Sequence, residues 1–209
     1  MPGSGEYSRY VAKSRIEMSD FSISMQYIAK ESARLQTEYL ENFRNLMRRG
    51  RRERADDLKE RLDEIDPSGE YAEVLGDEKQ VLDEIQDLAD EMAIIGLYRI
   101  VELNLKKLAL HLYTSGNRPE LRNTGAVRSK LKSDYNLDIN NIYNFDEVNE
   151  LRVLNNAIKH QREVTEELAE FGGWTEGDSL KNLDDAFNRL KPAVQEYLEN
   201  FGREIDQRK

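Results

Sequence analysis

Only two histidines, His111 and His160, and no cysteine occur in the 209 residues. Acid–base chemistry near neutral pH therefore has two candidates. Thiol catalysis, disulfides and Cys-ligated zinc or iron–sulfur sites have none. His160 ends the run Leu151-Arg152-Val153-Leu154-Asn155-Asn156-Ala157-Ile158-Lys159-His160. At 100° per residue, Arg152, Asn156 and His160 fall within about 80° of one another with Lys159 alongside, while Leu151, Leu154 and Ile158 share a different face. Such a stripe suits gripping and cleaving a phosphodiester: Arg and Lys neutralise phosphate, Asn orients a hydroxyl and His moves a proton. The same spacing also describes a solvated helix face. His111, between Leu110 and Leu112, reads as a structural histidine at a helix end.

Arg99 and Glu102 form a second polar pair. Arg99 lies five turns after Val81 and so continues the row Val81, Ile85, Leu88, Met92 and Ile95. Charged residues that continue an apolar row pair with each other or serve a site. Both readings stay open: an i,i+3 ion pair, or a Glu102 that orients Arg152 or His160. The sequence holds no Gly-rich phosphate loop and no His–Glu pair at metal-ligand spacing, so neither a metal nor a cofactor is expected.

These residues must be positioned by helices. From Ser19 or Asp20, Ile28, Leu35, Tyr39, Phe43 and Leu46 recur at helical spacing and predict a first long helix buried along that stripe. The Pro67-Ser68-Gly69 turn should reverse the chain. A second helix is expected over about Asp77 to Tyr113. Its Val81, Ile85, Leu88, Met92 and Ile95 spacing predicts a seam against another helix. Ile94, Tyr98, Val101, Leu105, Leu108 and Leu112 add a second stripe that places its second half at the bundle centre.

Residues 44–54 carry six arginines and one glutamate, and residues 56–91 carry 15 acidic against 3 basic residues. Residues 48–80 therefore read as a projecting charged helical hairpin with little to bury, either a solvated projection or a partner-binding arm. Further helices are expected over Gly125–Tyr135, from about Asp146 to His160, and from Leu183 to the C-terminus with Pro192 as a distortion. Residues 163–181 should form a structured loop. The fold class is an all-α up-and-down bundle, with residues 1–18 as a tail and 19–209 as one domain.

A net charge of −10 argues against coating nucleic acid through a bulk positive field, so any RNA contact must be local. No apolar run reaches the roughly 20 residues of a membrane span, and the start lacks a signal-peptide core. With no cysteines, a cytoplasmic protein with no membrane partner is expected.

The Leu151–His160 run, preceded by Ala93-Ile94-Ile95-Gly96-Leu97-Tyr98-Arg99-Ile100-Val101-Glu102, resembles the HEPN superfamily of prokaryotic helical domains over roughly residues 80–205. The resemblance implies a four- to five-helix bundle, usually dimeric, and in many members a metal-independent ribonuclease of a toxin–antitoxin or phage-defence system. Its signature is an Arg, often followed by a polar residue such as Asn, with a His four to six residues on. Asn156 and His160 match its latter part. Seven residues separate Arg152 from His160, and Asn155 stands where the usual form has Arg.

The resemblance thus implies His160, Arg152 and Asn156 as catalytic residues, supported by Lys159, Asn155, Glu102 and Arg99 in holding RNA. It also implies a homodimer and an antitoxin or defence partner. The alternative is a catalytically silent helical module that binds a protein through the charged hairpin or a bundle face.

Overall fold

The structure, a computed structural model, describes residues 24–64 and 70–209. The expected tail, the Ser19 or Asp20 helix start and the Pro67–Gly69 turn lie outside these residues. Two long helices, α1 (Met25–Asp63) and α2 (Glu70–Ala109), run antiparallel. They are followed by α3 (Thr124–Tyr135), α4 (Phe145–His160), the single turn α5 (Glu166–Ala169) and α6 (Leu183–Asp206). Helices α1, α2 and α6 pack together, α4 lies against α2 and α6, and α3 lies against α2. Among the described residues there is no strand, only an isolated bridge between Glu163 and Ser179. The architecture is an all-α helical bundle, as its apolar periodicity requires.

The core face of α1 is not the expected stripe. Met25, Ala29, Ala33 and Thr37, spaced by four, are buried, whereas Leu35, Tyr39, Phe43 and Leu46 are exposed. Small side chains let α1 approach α6 closely: a Cβ on Gly202 would lie only 2.5 Å from the Met25 carbonyl oxygen. Large residues would hold the two backbones apart, so the apolar stripe of greater bulk is turned outward.

The seam expected on α2 is corrected in the same way. Val81, Ile85, Leu88 and Met92 face solvent. The second stripe behaves as expected, with Ile94, Val101, Leu105 and Leu108 buried at the bundle centre.

The outer half of the α1–α2 pair is a true helical hairpin. Leu58 and Leu75 are buried, so it has a small apolar contact that a hairpin with nothing to bury would lack. Ion pairs from Arg51 to Asp83 and from Arg54 and Arg61 to Glu78 stitch the two helices. At the base, Arg44 is 2% exposed, bonds Asp90 at 3.0 Å and Asp184 of α6, and stacks 4.1 Å from the Phe187 ring. Burial draws its guanidinium below the ordinary value while Asp90 opposes that fall. One arginine thereby ties both hairpin helices to α6.

The start of α1 is capped by the far end of the chain. Ser24 Oγ and the N–H groups of Met25 and Gln26 donate to Asp206 at 2.5, 2.9 and 3.0 Å. This satisfies orphan donors of the first turn and places a negative charge at the positive end of the helix. Burial works against the Asp206 charge, but the Ser24 hydroxyl and the two N–H groups outweigh it and hold the carboxyl below its ordinary range. A carboxylate depressed by folding contributes stability above its unfolded pKa of about 4 and loses it as the pH falls through the folded value. Asp206→Ala should therefore lower stability near neutral pH by about 1 kcal/mol, and the melting curves of variant and parent should converge in acid. A constant gap between them at every pH would refute the cap.

Candidate functional site

Helix α4 supplies most of the candidate residues, and its local sequence explains its limits. Asp146 and Glu147 occupy its first turn, and Lys159 and His160 its last, where each charge suits the helix dipole. Leu151, Val153, Leu154, Ala157 and Ile158 are buried against the bundle. Asn156, Lys159 and His160 are exposed. The helix is two-sided as its spacing predicts.

Asn156 and His160 line one open depression of about 520 Å³, beneath the 163–181 segment. Its other polar walls are Glu163, Glu166, Glu167 and Glu176. Four carboxylates around one histidine repel a phosphodiester and leave the imidazole as the sole cationic candidate among them.

Arg152 does not complete this depression. Its Nε donates to Asn149 at 2.9 Å, and its outer nitrogen pairs with Glu167 at 2.5 Å. It lines instead a separate cavity of about 360 Å³ shared with Tyr98, Thr124, Arg128, Asn140 and Tyr197. Arg152 and His160 thus face different spaces, with Glu167 between them. The seven-residue interval carries the arginine a little over two turns from the histidine, which permits this divergence.

Asn155 is placed on the wrong side for RNA. It is 2% exposed, its Nδ2 donates only to Asn156 at 3.3 Å, and its Oδ1 is buried without a partner. A polar side chain beside a polar stripe is indistinguishable in sequence from a member of it, yet one step of 100° takes it inside. An unpaired buried acceptor costs about 1–3 kcal/mol, so Asn155→Leu should raise the melting temperature. A fall of several degrees would show that Oδ1 has a partner.

Glu102 makes no described hydrogen bond or ion pair with Arg152 or His160. It receives a 3.4 Å contact from Arg99, the i,i+3 pair, and Arg99 itself is exposed on α2. His111 lies exposed in the 3₁₀ turn Leu110–Leu112. Partial burial first, then the nearby Lys209 and Arg118 charges, lower its pKa.

The segment over His160 is anchored to α4 through Glu150. Glu150 is 4% exposed and accepts from Arg189 of α6 at 2.6 and 2.7 Å and from Trp174 Nε1 at 2.8 Å. The Glu150 carboxylate raises the pKa of Arg189. This buried, fully bonded carboxylate anchors the loop to α4, and no single-residue pattern marks it in the sequence. No described group of His, Asp and Glu could hold a metal ion. No described helix is long and apolar enough to cross a membrane.

Searches of family models, curated proteins and solved structures returned no match. The chain's own geometry must carry the argument.

The most unusual surface lies on the hairpin. Leu35, Tyr39 and Leu46 of α1 and Val81, Leu88 and Met92 of α2 are 44, 71, 65, 51, 49 and 52% exposed. Lys30, Thr37 and Glu41 mark the α6 side of α1 through contacts to Glu199, Gln195 and Lys191. By helical phase, the exposed α1 row lies on the opposite side. The Arg44–Asp90 and Arg51–Asp83 pairs set the antiparallel register, so Leu46 is level with Leu88. The two rows form one apolar face, away from α6. In sequence these rows have the spacing of core-facing stripes, and only the exposure of their side chains distinguishes them.

Proposed function

We propose that the chain is a helical protein-binding module that works through the apolar face of the α1–α2 hairpin and catalyses no reaction. One observation carries this reading: two rows of large apolar side chains, regularly spaced on paired helices, stand exposed on a surface otherwise dense in charge. Contiguous exposed apolar surface of this kind marks interaction sites. The narrow spacing of four, three and four on α2 suits a facing helix. A second copy of the chain, or an antitoxin or defence partner of the kind the family resemblance implies, would supply such helices.

A second reading is the HEPN-like, metal-independent endoribonuclease. It is favoured by Asn156 and His160, which stand exposed in one depression with Lys159 beside them. His160 would move the proton of a ribose 2′-hydroxyl, and Arg152 or Lys159 would stabilise charge on the phosphate. The four glutamates and the engagement of Arg152 with Glu167 oppose it.

Incubating the purified chain with RNA and excess chelator separates the two. The binding module predicts no cleavage above buffer, from the parent or from His160→Ala. Cleavage by the parent that His160→Ala abolishes would establish the nuclease instead.

A further inference from the structure

The hairpin face has the size, shape and charge pattern to receive its own copy. Its exposed apolar side chains offer on the order of 700 Å² per chain, close to the roughly 800 Å² that each partner contributes to a standard stable interface. Two antiparallel helices with one apolar row each make half of a four-helix bundle, and an identical half completes it.

The charges beside the rows select the arrangement. On α1, Arg49 is exposed and has no ion-pair partner among the described residues. On α2, Glu84 is exposed and likewise unpaired with any described cation. The register places Arg49 within one residue of the level of Glu84, each on the outer flank of its row. Toward the other end of the face the signs reverse, with Glu38 on α1 near the level of Arg99 on α2.

We propose that the chain forms a homodimer through this face, about a two-fold axis parallel to the hairpin, with α1 of each copy lying over α2 of the other. A rotation about that axis preserves level, so Arg49 meets Glu84 of the second copy, and Leu46 packs against Leu88 of the second copy. The inference rests on the binding-module reading and names its partner.

The experiment is sedimentation of the full chain at tens of micromolar. The parent should sediment as two copies. Leu46→Glu with Leu88→Glu, both exposed in the single chain, should weaken association at least 100-fold while leaving the helical circular dichroism unchanged. A chain carrying Arg49→Glu, and another carrying Glu84→Lys, should each associate more weakly alone than when mixed, because only the mixture restores opposite charges at both crossings.

A monomeric parent overturns the dimer. Dimers that survive the leucine substitutions, or charge variants that show no preference for each other, overturn the interface. None of these results touches the binding-module reading, which fails separately if the chain cleaves RNA through His160.

Discussion

Arg44→Leu should be the most destabilising single change in the chain, costing about 3 kcal/mol or more. Arg44 is 2% exposed and, with Arg48 beside it, links α1 to Asp90 of α2 and Asp184 of α6, with its plane on Phe187. Removing it leaves the mostly buried Asp90 with the more distant Arg48, 3.6 Å away, and with Gln86. The loss comes chiefly from that stranded charge. Arg44→Leu combined with Asp90→Leu should therefore recover a large part of it, since a buried ion pair replaced by apolar groups is often close to neutral. In thermal unfolding of a chain this size, about 3 kcal/mol corresponds to a fall of roughly 6–12 °C. A double variant as unstable as the single one would show that Arg44 acts through its other contacts.

The second large effect is a contrast between two helical glycines. A Cβ at Gly202 would meet Met25 and Gln26 backbone atoms at 2.5 and 2.8 Å, whereas one at Gly96 would meet the Leu40 side chain, whose nearest atom is 2.7 Å away. Backbone cannot step aside without moving α1, but a leucine terminus can rotate. Gly202→Ala should cost about 1–3 kcal/mol, the range for overpacking. Gly96→Ala should lie near neutral, because the gain in helix propensity of up to about 1 kcal/mol offsets the adjustment. Equal melting temperatures for the two variants would contradict the close approach of α1 to α6.

That approach also explains what could be read in the sequence. The ends of α4 were legible because Asp146 and His160 bound a clean apolar periodicity, and α6 begins at Leu183 as its stripe requires. The core face of α1 was not. Hydrophobic periodicity weights large residues, so Leu35, Tyr39, Phe43 and Leu46 outweigh Ala29 and Ala33, while packing against Gly202 selects small ones. The row on α2 reads correctly as helical but not as a seam within the bundle, since Val81, Ile85, Leu88 and Met92 face solvent; periodicity does not say which side of a helix another helix covers.

At the candidate site, the exposure of Asn156, Lys159 and His160 followed from helical phase alone. The capture of Arg152 by Glu167, fifteen residues away through a loop, did not. Neither did the Glu150–Arg189–Trp174 anchor, because both depend on where α5 and α6 return to α4. Long-range polar pairs are set by tertiary placement, and a single sequence carries no direct record of them.

The absence of cysteine makes a direct test of the central claim simple, since one introduced thiol is unique. A fluorescent label on Leu46→Cys, on the hairpin face, and one on Lys159→Cys, beside His160, can be compared for quenching by a soluble collisional quencher at tens of micromolar chain. If the hairpin face is an interaction surface that takes a second copy, the label at position 46 is shielded severalfold relative to the label at 159, and dilution removes the shielding. Equal quenching at the two positions at every concentration would contradict that account.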